Sequence, residues 1–128
     1  MIINTTVTVN GYKATIKPKL QFYRGDSVYL VITILDTIIN SIEGVDVQEV
    51  LPMSALKEVK LILKTPSGSI PINSVEQVDN KAKFKILSEY TQEVGNYQFQ
   101  LVCFDNDNCM FHIPPCPYSV AEPIGDLV

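Results

Sequence analysis

The sequence predicts an all-β domain, an immunoglobulin-like antiparallel β-sandwich of about seven or eight strands. Three observations predict it. Apolar and polar residues alternate in several short runs, the period of a half-buried strand. Turn residues (Gly, Pro, Asn, Asp) punctuate those runs about every 8 to 12 residues. No stretch sustains a helical period and no internal repeat is visible. The 128 residues suit a single domain spanning 1–128, and 46% hydrophobic against 19% charged residues exclude a disordered chain while supplying two facing apolar layers.

The elements follow in order. Val7 and Val9 alternate with Thr6, Thr8 and Asn10, and Asn10-Gly11 supplies the positive-φ pair of a two-residue turn, so residues 1–17 are expected to form an N-terminal hairpin or arm. Pro18 has no amide to give a ladder and predicts an edge strand or bulge near Leu20 and Phe22. Arg24-Gly25-Asp26 reads as a turn. Val28, Leu30, Ile32 and Ile34 then point one way and Tyr29, Val31 and Thr33 the other, a central strand with apolar groups on both faces.

Val59, Leu61 and Leu63 make the next half-buried strand, stopped by Pro66-Ser67-Gly68. After the Asp79-Asn80 turn, Ala82, Phe84 and Ile86 face inward, while Lys81, Lys83 and Lys85 form a solvated face. Gly95 precedes the clearest strand, in which Tyr97, Phe99, Leu101 and Cys103 alternate with Gln98, Gln100 and Val102. Tyr97 stands where sandwiches place a tyrosine corner, its hydroxyl bonding back to nearby backbone. A last strand runs through Met110 to Ile113 and resumes near Tyr118 to Val120.

Residues 36–56 resist this grammar and read as a long apolar loop insertion, since Ile38, Ile39, Ile42, Val45, Val47, Val50 and Leu51 keep no steady period. Long loops in compact domains carry structure of their own or a function. One reading is an extra hairpin or helical turn covering the outer face of the central strand. The other is a protein contact surface formed by Ile38, Ile39, Ile42, Val50 and Leu51, because an exposed apolar loop calls for a partner.

Catalytic constellations are scarce. The one His, His112, lies in an alternating run with no nucleophile motif beside it and reads as structural. Cys103, Cys109 and Cys116 are spaced six and seven, without the close pair that a zinc site uses, and read as free, buried thiols; an odd-numbered loop would instead set Cys103 opposite Cys109. Asp105-Asn106-Asp107-Asn108 begins like a calcium loop but lacks its Gly and Glu, and reads as a hairpin turn. No phosphate-binding Gly-rich loop is present. The expectation is no enzyme, no metal and no cofactor.

A net charge of -4 with dispersed basic residues argues against nucleic acid as a partner. The apolar run from Val28 to Leu35 is too short to span a bilayer, and the N-terminus lacks the pattern of a secretion signal, so cytoplasmic synthesis without membrane insertion is expected.

Four segments carry a resemblance: Phe22-Tyr23-Arg24-Gly25-Asp26-Ser27-Val28, then Val59-Lys60-Leu61 ending in Pro66-Ser67-Gly68, then Lys83-Phe84-Lys85-Ile86, then Gly95-Asn96-Tyr97-Gln98-Phe99. In this order the chain resembles the N-terminal domain of the baseplate upper protein family of tailed phages infecting Gram-positive bacteria. The resemblance implies a structural protein of the virion tail, phage or prophage, that docks onto other baseplate or tail proteins. It also implies a homo-oligomer, with a trimer favoured, and a connection to receptor-binding components. Residues 36–56 are longer than the connection usual in that family. With the sequence ending at Val128, a short adaptor or a fragment of a longer protein is expected. The alternative is an immunoglobulin-like module that binds carbohydrate or a receptor directly. The absence of Trp, and several of the six Tyr at expected inward positions, weigh against it.

Overall fold

A computed structural model of the chain describes residues 1–40 and 45–125, the side chains of 37–40 and 45–48 excepted. The strands are β1 (Ile2–Asn10), β2 (Lys13–Lys17), β3 (Leu20–Tyr23), β4 (Val28–Asn40), β5 (Val45–Val50), β6 (Glu58–Thr65), β7 (Gly68–Asn73), β8 (Glu76–Val78), β9 (Lys81–Ile86), β10 (Gly95–Phe104), β11 (Met110–His112) and β12 (Cys116–Ala121). Two single 3-10 turns, Met53–Ala55 and Ser88–Tyr90, interrupt them. One sheet has the order β2-β1-β4-β9-β8, with β5 also on β4; the other has the order β3-β12-β10-β6-β7, with β11 also on β10. The two sheets pack as the expected all-β sandwich. The runs β4-β9-β8 and β12-β10-β6-β7 match the B-E-D and G-F-C-C′ orders of immunoglobulin domains.

The inward residues read from the alternation are the core. Leu30, Ile32, Leu61, Leu63, Phe84, Ile86 and Leu101 are fully buried, and each side chain of this size contributes about 1.5–3 kcal/mol on leaving water. Phe22, Phe99 and Tyr118 close one end of that core, with Phe22 and Tyr118 meeting edge to face at a centroid distance of 6.0 Å.

Two differences from the expectation concern pairing. Antiparallel pairing holds except where β1 lies parallel to β4 and β3 lies parallel to β12. The N-terminal hairpin inserts β1 between β2 and β4, and the chain crosses to the other sheet after Lys17, so β3 starts beside the last strand. Parallel neighbours need a long connection, and here β1 and β4 are separated by two further strands. Twelve strands are described where seven or eight were expected, among them two three-residue pieces, β8 and β11, and an added arm, β5.

Within 36–56 the structure shows an extra antiparallel strand pair and a 3-10 turn, as the first of the two readings expects, but the pair extends β4 within its own sheet and does not cover the outer face. β4 continues to Asn40, and β5 pairs with it antiparallel from Leu35↔Val50 to Asn40↔Val45. The 3-10 turn that follows buries Met53 completely. The segment lacks a period for a physical reason. β9 leaves β4 at Thr33 and β1 leaves it at Asp36, so the layered surroundings that impose alternation end there.

Candidate interaction surfaces

Of the five residues expected to form a contact surface, Val50 is exposed, and Leu51 packs against the core while lining a cleft. Ile38 and Ile39 are paired in register with Val47 and Asp46, with side chains outside the description, and Ile42 lies outside the described residues.

That cleft encloses about 610 Å³ at one end of the sandwich and is walled by Tyr12, Asp36, Leu51, Phe111, His112 and Pro114 among others. The β1–β2 turn is Gly11-Tyr12 and not the expected Asn10-Gly11: Asn10 still pairs with Lys13, only Gly11 takes a positive φ (+62°), and Tyr12 stands fully in solvent. β11 is held to β10 with His112 opposite Val102, and the Gln100 side-chain amide donates to the Ile113 carbonyl at 3.0 Å. His112 is therefore a surface residue on a short strand and not a core histidine. Tyr12, Tyr23 and Tyr29 are exposed, whereas Tyr118 is buried and Tyr90 and Tyr97 are half-buried, so the tyrosines divide evenly between surface and interior.

The second surface is the outer face of the first sheet. Register places Lys17 beside Thr6 and Lys13 beside Asn10, and sets Lys85, Lys83 and Lys81 opposite Tyr29, Val31 and Thr33. Glu76, opposite Lys83, is the single acid of this face on β2, β1, β4, β9 and β8, and Asp79 adds a second in the β8–β9 turn. Between the two rows of lysines run Ile2, Tyr29, Val31 and Leu35, none of them fully buried. Lys83 Nζ sits 4.6 Å above the Tyr29 ring, a cation-π contact that fixes the ring against the sheet. Sequence spacing shows the three lysines of β9, but only the hairpin pairing brings Lys13 and Lys17 onto the same face.

The third surface is the loop end near Tyr97. The Tyr97 hydroxyl donates to the Glu93 carbonyl at 3.0 Å and also lies 3.2 Å from that of Val94. The Arg24-Gly25-Asp26 turn is closed by the Asp26 carboxylate, which accepts the Tyr23 amide at 2.8 Å. Arg24 pairs with Glu122, and the buried Thr91 hydroxyl donates to the Asp26 carbonyl at 3.0 Å, tying this turn to the β9–β10 loop. Asp26, Glu89, Glu93 and Glu122 thus gather at one end, together with exposed Val94 and Ile124.

The polar loop after β10 is a tight turn. Asp105 Oδ1 accepts the amides of Asp107 and Cys109, both at 2.9 Å. All three cysteines are free, but Cys109 is exposed, which corrects the expectation of three buried thiols: it sits on this surface loop, and Phe111 takes the place opposite Cys103. Burial pushes the Cys103 thiol up to about 12 and the Cys116 thiol up to about 11. Among the described residues no group of three or more His, Cys, Asp or Glu is placed to hold a metal ion, and no helix is long and apolar enough to cross a membrane.

Neither a family model nor a curated protein matches the chain. Among solved structures, the N-terminal domain of phage TP901-1 ORF48 superposes with a TM-score of 0.62, at 14% sequence identity, covering 95% of this chain and 100% of that one. The two share a fold. The match takes in the whole of the phage domain, so the correspondence is of complete sandwiches and not of a few strands.

Proposed function

We propose that the chain is a phage or prophage tail baseplate protein, an assembly domain that docks onto other tail proteins, oligomerises and connects the baseplate to receptor-binding components. The observation that carries this reading is the fold shared with a phage domain over the full length of that domain. The four sequence segments that resemble the baseplate upper protein family support it independently, and all four lie on strands and turns of the sandwich. In this reading the chain performs no catalytic step, and its work is done by surfaces. It belongs to the virion tail after synthesis in the host cytoplasm. The test is immunogold labelling of particles from a producing culture with antibodies to the chain. Gold at the tail tip is expected, and intact particles that bind no gold and yield no peptide of the chain by mass spectrometry overturn the reading.

The end cleft favours a second reading, a module that binds carbohydrate directly. Exposed Tyr12 and Phe111 beside Asp36 and His112 offer apolar faces and polar groups together. Glycan-array binding that is lost in Tyr12→Ala would support this second reading.

A further inference from the structure

We infer that the lysine-bearing outer face of the first sheet is a contact surface for the acidic loop end of a second copy of this chain. The inference rests on the assembly reading above and deepens it.

Charge is divided unevenly over the surface. The chain has 10 basic and 14 acidic residues. Five lysines (Lys13, Lys17, Lys81, Lys83, Lys85) and two acids (Glu76 and, in the β8–β9 turn, Asp79) lie on this face over β2, β1, β4, β9 and β8, a balance of +3. The remainder of the chain then holds 5 basic and 12 acidic residues, a balance of -7. A protein with net negative charge has thus placed half of its cations on one side of one sheet. The loop end has the opposite character, since Asp26, Glu89, Glu93 and Glu122 gather there around Arg24, whose guanidinium is already paired with Glu122.

Apolar surface follows the same division. On the basic face Ile2, Tyr29, Val31 and Leu35 run between the rows of lysines, with exposed Val78 at the β8 edge. At the acidic end Val94 is half-exposed beside Glu93, and Ile124 is fully exposed two residues beyond Glu122. Each surface is an apolar patch with a charged rim, and the rims are of opposite sign, the composition of a protein interface with a dry centre and a wet edge. Nucleic acid fits less well. The chain's one Arg lies outside the face, and the hollow at Lys81 and Lys83 is shared with two carboxylates, Glu76 and Asp79, which repel phosphate.

The two patches are different surfaces of one molecule, so the contact is heterologous. Repeating it either closes a ring or extends a chain of copies.

Light scattering coupled to size exclusion at low salt tests this with four samples: the chain, Lys81→Glu/Lys85→Glu, Glu89→Lys/Glu93→Lys, and an equal mixture of the two variants. These lysines leave the Lys83–Tyr29 contact intact, and circular dichroism melts establish that each variant is folded. The chain should self-associate, and more weakly as salt rises. Each variant alone should associate at least about tenfold more weakly. The mixture should recover association, because each variant then offers the other a surface of opposite charge. A chain that stays monomeric at low salt, or a mixture no stronger than its components, overturns the inference. So does binding of a labelled DNA duplex that Lys81→Glu/Lys85→Glu abolishes while self-association is unchanged. Gold labelling of tails is read separately, so a monomeric chain found at the tail tip would sink this inference and leave the assembly reading standing.

Discussion

Tyr97 folds back over Gly95, so that a β-carbon on Gly95 would lie 2.7 Å from the tyrosine hydroxyl oxygen and 2.9 Å from the ring carbon that bears it. Gly95 is needed for space here, since its backbone is close to extended. Gly95→Ala should push the ring off the Glu93 carbonyl and cost about 1–3 kcal/mol as an overpacking change. Tyr97→Phe should cost about 1 kcal/mol, the hydrogen bond alone. Tyr97→Ala should cost about 2–3 kcal/mol, below the full value for a buried ring because this one is half-exposed. Urea unfolding of the three variants and of Gly95→Ala/Tyr97→Phe measures the coupling, and strict additivity would show that the two residues act separately.

Gln77 joins the first sheet to the turn at Met53–Ala55. Its side-chain amide donates to the carbonyls of Met53 at 2.9 Å and Leu56 at 3.0 Å, while its carbonyl accepts the Ser74 hydroxyl at 2.7 Å. Gln77→Leu keeps the bulk and strips three hydrogen bonds, leaving carbonyls of a half-buried turn without donors. A loss of roughly 2–3 kcal/mol is expected. Hydrogen exchange should show faster exchange at the Ala55 and Leu56 amides well before global unfolding, and unchanged protection there would mean that the turn holds without Gln77.

Much of this architecture was legible in the sequence. Strong alternation identified β4, β6, β9 and β10, because a half-buried strand between two layers imposes a period of two. Pro66-Ser67 and Asp79-Asn80 identified their turns for the same local reason, since few residue pairs accept those backbone angles, whereas the first turn lies one residue later than Asn10-Gly11 because Gly11 alone supplies its positive φ. The parallel pairs β1–β4 and β3–β12 were not legible, since pairing across sequence distance leaves no local mark. Neither was Gln77, an ordinary polar residue whose importance lies in two carbonyls more than twenty positions away. The lysine face was half legible: β9 displays its three lysines by alternation, while Lys13 and Lys17 join them only through the hairpin. Cys109 was misjudged because burial of a thiol depends on the loop holding it, and Asp105 keeps that loop on the surface.

Asp105 also decides the chemistry of its loop. Oδ1 accepts two amides and so holds the turn, and Asp107 stands exposed beside it. Millimolar calcium should leave the melting temperature unchanged, whereas Asp105→Ala should lower stability by about 1–2 kcal/mol. A calcium-dependent rise in melting temperature, lost in Asp105→Ala, would mean that the loop takes the ion after all.

Alkaline pH should destabilise the fold through three buried groups. Cys103 and Cys116 are raised from 9.0 to about 12 and about 11 by burial. Tyr118 is raised from 10.0 to about 12, by burial first and by neighbouring Tyr97 second. Each is neutral when protonated, so a folded pKa above the unfolded one means that the native state holds its proton where the unfolded chain releases it. Stability is then fully present below pH 9 and is lost as pH rises through the interval from about 9 to about 12. Urea midpoints should be flat from pH 7 to about 9 and fall steadily beyond. A thiol-reactive dye at pH 8 should modify Cys109 quickly and the other two cysteines only at the rate of unfolding, because the exposed thiol alone can present its thiolate to the reagent. Three thiols reacting at one fast rate would show that Cys103 and Cys116 are open to solvent, and the alkaline loss of stability would then need another source.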